Sequence, residues 1–241
     1  MSAPPLLKRF PANTVGRDFA VGDIHGHFTR LQAALDAIGF DPAVDRLFSV
    51  GDLVDRGPEC EEVIKWLNKP WFHPVRGNHD DYVCRYDTCD IGNWLHNGGS
   101  WFLGLPSLEQ ANYQVMFNEL PIAIEVETPE GLVGLLHADC PFPSWFELQF
   151  ELTGATEHKR LKLVKNTCMW SRNRIEFGDA SGVADVRAVV CGHTPVRQPV
   201  VLGNVYHIDT GGWFPDESGH FTLLDLQTLA ATPPIPAKLE W

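Results

Sequence analysis

Three apolar runs in the first third of the chain each stop at a glycine, and each glycine is followed at once by a side chain that can bind a cation. Phe19 to Val21 run into Gly22-Asp23-Ile24-His25-Gly26. Leu47, Phe48 and Val50 run into Gly51-Asp52-Leu53-Val54-Asp55-Arg56-Gly57, and Trp71 to Val75 lead through Arg76 to Gly77-Asn78-His79-Asp80. Between them, Phe28, Leu31, Leu35 and Ile38 recur at helical spacing before Gly39, and Cys60, Val63, Ile64 and Leu67 do so after Pro58. Strand, ligand, helix, repeated, restricts the chain to an α/β (α+β) arrangement with its ligands at the carboxyl ends of strands, where open sheets gather them. Glycine at those exits permits turns and close approaches that a Cβ would hinder.

The remainder fills out the same plan. Residues 82–118 carry Trp94, Trp101, Phe102, Tyr113 and Phe117 around Gly98-Gly99 and are expected to form a helical cap over one rim of the site. Ile122, Ile124 and Val126 alternate, Thr128 to Gly131 can turn, and Val133 to Leu136 return, as in a hairpin that ends at His137-Ala138-Asp139. Val186 to Cys191 form a strand before Gly192-His193-Thr194, and Val205 to Ile208 and Phe221 to Leu226 are further strands. The charged stretch 150–180 reads as a long loop with some helix. One domain is expected over 15–230, with 1–14 a poorly ordered lead-in and 231–241, including a stiff Pro-rich piece at 232–237, a peripheral tail.

Side chains gathered at those strand ends specify a chemistry. Asp23 and His25 are two apart and can face the same way. With Asp52 they make one cation site. Asp52, Asn78, His137 and His193 make a second, so Asp52 has one oxygen for each ion. Paired ions of this kind, ~3.5–4 Å apart, clamp an attacking water and a transferring phosphoryl group. His79 is the candidate general acid, with Asp55 orienting its ring by accepting from the other nitrogen. Arg56 and Arg76 are candidates for gripping phosphoryl oxygens, joined by Arg172 in Trp170-Ser171-Arg172, with Arg174 close by in sequence. Asp80 and Asp139 are read as surface carboxylates, and His27 as facing solvent. Taken singly, a Gly-Asp is an ordinary turn and a lone histidine an ordinary core residue; three such patches in one strand-end pattern are what carry the site.

Composition sets limits around this reading. A net charge of -12 argues against nucleic acid and anionic lipid as partners, and no apolar run reaches membrane-spanning length. The six cysteines form no CxxC pattern and are read as reduced, which fits a cytoplasmic protein; Cys84 and Cys89 suggest a metal clip only loosely. No sequence feature fixes an oligomeric state.

GDIHG, GDLVDRG and GNHD at this spacing resemble the calcineurin-like metallophosphoesterases of phosphoprotein-phosphatase type. With WFHPVRGNHD, NWLHNGGSWF, LLHADCPF, MWSRNRI, VVCGHTPV and YHIDTGGWF, nearly the whole of 19–226 is similar to the phage lambda-type phosphatases and their bacterial relatives. The resemblance implies a two-sheet β-sandwich flanked by helices. It implies the ligand set already given, with His79, Asp55, Arg56, Arg76 and Arg172 at the reacting phosphate. It also implies two divalent ions, Mn2+ above all with Fe or Zn in one position, and phosphoserine, phosphothreonine or phosphotyrosine in a protein or peptide as substrate. The expected reaction is direct hydrolysis by a hydroxide bridging the two ions. Two departures matter: the third motif ends in Asp80 where protein phosphatases have Glu, and His27 follows the first motif where relatives often have Cys. Asp80 brings in the dinucleoside tetraphosphate hydrolases as the rival class, although many of those lack the carboxylate that Asp55 supplies. A broad phosphoesterase acting on a small phosphorylated molecule, and a metal-bound module without turnover, are the other readings.

Overall fold

The computed structural model describes residues 4–154, 156–216 and 218–233. In chain order its elements are β1 (Leu7–Phe10), β2 (Asp18–Val21), α1 (Phe28–Ala37), β3 (Arg46–Ser49), a 3-10 turn (Cys60–Glu62) running into α2 (Val63–Leu67), and β4 (Phe72–Pro74). Then come α3 (Asn78–Cys84), α4 (Ile91–His96), α5 (Ser100–Leu103), α6 (Ser107–Asn118), β5 (Ala123–Thr128), β6 (Gly131–Leu136), α7 (Trp145–Thr153), α8 (His158–Trp170) and α9 (Asn173–Phe177). The chain closes with β7 (Ala188–Cys191), β8 (Val200–Leu202), β9 (Val205–His207), β10 (Leu223–Asp225) and β11 (Ala231–Thr232).

The strands form two sheets, β1-β5-β6-β7-β9-β8 and β11-β10-β2-β3-β4. β2, β3 and β4 are parallel and in step, with Val21 opposite Ser49 and Ser49 opposite Pro74. β6, β7 and β9 are likewise parallel. Parallel neighbours end on the same side, so Asp23, Asp52 and Asn78 leave one sheet, and His137 and His193 the other, at a common rim.

Alternation along the strands sorts residues between two apolar layers rather than between core and water. Ala20, Phe48, Ile124, Val126, Leu135, Val190 and Leu224 pack together between the sheets. Their neighbours Phe19, Val21 and Leu47 face α1, α2 and the cap, while Leu136, Val189, Cys191 and Val205 face α7 and α8. With both faces covered, period-2 hydrophobicity is muted, which is why these runs read as nearly continuous.

Three expectations are corrected here. Residues 7–10 of the supposed lead-in form β1, an edge strand parallel to β5, tied by Arg9 to Glu125 at 2.7 Å. The stretch 150–180 is mostly helical: α8 buries Val164, Cys168 and Met169 with Leu161 beside them, a narrow stripe that its lysines and arginines hide. Ala231–Thr232 belongs to the sheet through β10, while 234–237 of the Pro-rich piece lies outside the described residues.

Candidate active site

Buried polar side chains converge where the two sets of strand ends meet. Asp23, His25, Asp52, Asn78, His79, His137 and His193 are each 6% exposed or less. Asp52 is at their centre. Its Oδ2 lies 3.4 Å from His137 Nε2, 3.6 Å from His25 Nε2 and 4.0 Å from His79 Nε2, while Oδ1 accepts from the His79 main-chain N–H at 2.9 Å. Asp23 Oδ2 lies 4.0 Å from His25 Nε2, and its Oδ1 accepts from His193 N–H at 3.0 Å. His137 Nε2 is 2.9 Å from Asn78 Oδ1 and 3.1 Å from His193 Nδ1.

The outer nitrogens decide the chemistry of the inner ones. His25 Nδ1 lies 2.8 Å from Val54 O, His137 Nδ1 2.8 Å from Val50 O, and His193 Nε2 3.2 Å from Trp170 O. A carbonyl only accepts, so each outer nitrogen carries a proton, and the inner nitrogen is the one that offers a lone pair once the ring is neutral. Lone pairs and carboxylates crowded into one dry space demand a cation. Two groups meet the geometric requirement: His25, Asp52 and His79, and Asp52, His137 and His193, sharing Asp52. Nitrogen and oxygen donors in this mixture suit a first-row divalent ion. The protons report the same demand. Burial pulls His137 down, but Asp52 and Asp23 overcome it and hold it at about 9. Burial and the neighbouring His137 push His193 down to about 3. Burial, with Asp209 adding its charge, holds Asp23 well above the ordinary carboxylate range.

The loops that carry these groups are strained. His25, Asp52, Asp55, Arg56 and His193 all have left-handed φ, between 44° and 70°. Non-glycine residues adopt that conformation only where their surroundings enforce it, and such strain collects at functional sites. Close approach also fixes Gly77, where a Cβ would stand 2.1 Å from Asp52 Oδ1, and Gly192, where it would stand 2.2 Å from Asp23 Oδ1.

Beside the cluster, His79 Nδ1 meets Asp55 Oδ2 at 2.7 Å. Arg56 reaches both histidines, with Nη1 2.9 Å from His25 Nε2 and Nη2 3.0 Å from His79 Nε2, and its guanidinium lies over the Trp213 ring at 4.3 Å. Arg172 is exposed at the rim, 3.5 Å from Thr194 Oγ1.

Some sequence expectations change. Arg76 is not at the phosphate position: its Nη2 donates to the carbonyls of Asn118 and Leu120 at 2.9 and 3.2 Å and its Nη1 faces Asp81 at 3.6 Å, so it braces the end of α6 against α3. Asp80 is fully buried, not a surface carboxylate. Its Oδ2 accepts from Gly77 N and Asp52 N, and its Oδ1 from Leu53 N, all within 2.9 Å, which clamps the Asp52 loop to α3. Burial, with Asp52 nearby, pushes Asp80 up to about 7. Asp139 is buried too, paired with Arg174 at 2.8 Å, which separates Arg174 from the exposed Arg172. His27 is half-buried, its Nδ1 2.7 Å from His25 O. All six cysteines are free thiols, and Cys84 and Cys89 join no ligand group among the described residues.

Asp209 was missed because Val205 to Ile208 run straight into it with no glycine between, and Gly211-Gly212 come only after it. Its Oδ1 accepts from Gly211 N and Trp213 Nε1, and its buried Oδ2 has no hydrogen-bond partner. Trp213, stacked on Arg56 and edge-on to His25 at 4.7 Å, has no signal in sequence.

The calcineurin-like phosphoesterase family model matches residues 19–197. A serine/threonine-protein phosphatase 1 of Salmonella typhimurium is 32% identical over 231 residues, covering 94% of this chain and all of that protein. A symmetrical bis(5'-nucleosyl)-tetraphosphatase of Pseudomonas putida is 48% identical over 141 residues, but these cover 53% of this chain and 43% of that protein. A solved structure assigned to a diadenosine tetraphosphatase superposes with a TM-score of 0.65 at 21% identity, covering 94% of this chain and 96% of that one. Strand-end ligands, paired cation groups and the matched family model agree: this chain belongs to the calcineurin-like phosphoesterase family, as a metal-dependent hydrolase.

Proposed function

We propose that the chain hydrolyses phosphate monoesters on proteins, at phosphoserine and phosphothreonine above all. The observation that carries this reading is the Asp52 carboxylate facing three imidazoles, with the His79–Asp55 pair beside it. Asp23, His25 and Asp52 would hold one divalent ion, and Asp52, Asn78, His137 and His193 the other, with Mn2+ the ion we favour. When bound, such a pair lowers the pKa of water and offsets charge on the phosphoryl oxygens.

The chain's own groups do the rest. Arg56 Nη1, now 2.9 Å from His25 Nε2, would be free for the phosphoryl oxygens were His25 to hold an ion, and Trp213 under the guanidinium keeps its plane in place. Charge spread over three equatorial oxygens is what a planar guanidinium stabilises. His79 Nε2, its other nitrogen tied to Asp55, gives a proton to the leaving oxygen. Arg172 adds positive charge at the rim.

Protein substrates are favoured by the phosphatase relative that matches 94% of this chain and the whole of its own length. Dinucleoside tetraphosphates are the second reading, supported by the higher but partial identity to the tetraphosphatase and by Asp80 in the third motif. Rates with Mn2+ on phosphoserine, phosphothreonine and phosphotyrosine peptides and on a dinucleoside tetraphosphate separate the two. We expect the phosphopeptides to turn over faster; a preference of several orders for the dinucleotide would reverse the assignment.

A further inference from the structure

The cap reaches the acid pair through two indoles. Trp94, on α4, donates its Nε1–H to Asp55 Oδ2 at 2.8 Å, and Trp101, on α5, donates to Asp55 Oδ1 at 2.7 Å. The same Oδ2 meets His79 Nδ1 at 2.7 Å. Asp55 is fully buried with left-handed φ, and these three donors satisfy both of its oxygens. The indoles are themselves fixed. Trp94 is fully buried and stacked on Tyr82 with ring centres 5.7 Å apart and 14° between planes. Trp101 is half-buried and edge-on to Tyr113 at 5.3 Å. The turn between α4 and α5 lies directly on the site loop: a Cβ at Gly98 would stand 2.5 Å from Arg56 N, and one at Gly99 2.3 Å from Trp94 Nε1.

We propose that Trp94 and Trp101 are positioning residues for the proton donor: their N–H groups lock the Asp55 carboxylate so that it aims His79 Nε2 at the leaving oxygen. The inference rests on His79 acting as the acid. A buried carboxylate with a single partner would be free to turn about its Cβ–Cγ bond and to drag the imidazole with it. Donors on both oxygens remove that freedom, and general acid catalysis depends on such alignment. Indole is suited to the task because it donates and cannot accept, so it cannot take the His79 Nδ1–H in place of Asp55.

Leaving-group dependence isolates this role, because an aryl leaving group of low pKa departs without help while an alkoxide needs a proton. Trp101→Phe keeps the ring and deletes the donor, and Trp94→Phe serves as a second variant should the first lose bound metal. The 241-residue chain loaded with Mn2+ is assayed on p-nitrophenyl phosphate and on a phosphoserine peptide, with His79→Asn as the reference. We expect kcat on the phosphoserine peptide to fall about tenfold or more and kcat on p-nitrophenyl phosphate to change by about twofold at most, with KM and metal content held. An equal fall on both substrates, or no fall on either, overturns the assignment if His79→Asn does discriminate between them. If His79→Asn fails to discriminate, the acid reading falls and takes this one with it.

Discussion

At the strand ends, His25, His137 and His193 each give their outer ring nitrogen to a main-chain carbonyl, whereas under the cap His79 gives its own to the Asp55 carboxylate. A carbonyl is neutral. It fixes the tautomer and leaves a lone pair pointing inward, which is what a cation ligand needs. A carboxylate carries charge and fixes the ring by its Nδ1, leaving Nε2 as the atom that faces the proposed leaving oxygen. Four imidazoles within a few ångströms thus differ in their outer partners, and the proposed division between cation ligands and proton donor rests on that difference. The strand-end region owes its geometry to strained loops and main-chain contacts; the cap region owes its own to side chains from helices far along the sequence.

Breaking the strand-end side has the larger effect. His137→Ala should lower metal content by one ion per chain and cut turnover about a thousandfold, the several kcal/mol of charge stabilisation that a metal supplies; metal analysis beside steady-state rates checks it, and an unchanged ion count would remove His137 from the ligand set. On the cap side, His79→Asn should cut turnover on phosphoserine peptide about a hundredfold with the ion count unchanged. Loss of metal in that variant would move His79 to the ligand group, where its Nε2, 4.0 Å from Asp52 Oδ2, is within reach.

The strand-end side should also respond to pH. His137 is held at about 9 without metal, so at pH 7 it is protonated, and an ion must displace that proton to bind. Apparent metal affinity should thus rise as pH rises from 7, by up to about tenfold per unit for the one proton, and level off above 9; chelator-competition titrations would reveal a flat profile if the inner nitrogens were already free. The smallest effect is expected at the rim. Arg172 is exposed and screened, so Arg172→Ala should raise KM by about fivefold at most, in keeping with the ~1 kcal/mol of an exposed pair, and leave kcat alone.

The same contrast marks what could be read from the chain. Positions set by local pattern were legible: Asp23, Asp52 and Asn78 follow glycines at strand ends, and His137 and His193 close strands of the other sheet, so the candidate ligands could be placed before their contacts were known. Asp80 and Asp139 were misread as surface groups because their partners, the Asp52 loop and Arg174, come together only on folding. Arg76 stands next to a motif yet points to carbonyls of Asn118 and Leu120, a direction that sequence adjacency does not encode. Trp94 and Trp101 announce a helical cap by their size, but their N–H contacts to Asp55 span 39 and 46 residues and follow no periodicity. β1 was lost for a related reason: four residues beside a Pro-rich start look like coil until β5 offers them an edge.

Everything turns on whether one carboxylate serves two ions. Metal analysis of active wild-type enzyme and of Asp52→Asn, purified and reloaded with Mn2+ in parallel, tests this most directly. Two ions per chain in the wild type and fewer than one in the variant are predicted; a single ion in fully active wild type, or two retained in the variant, would contradict it.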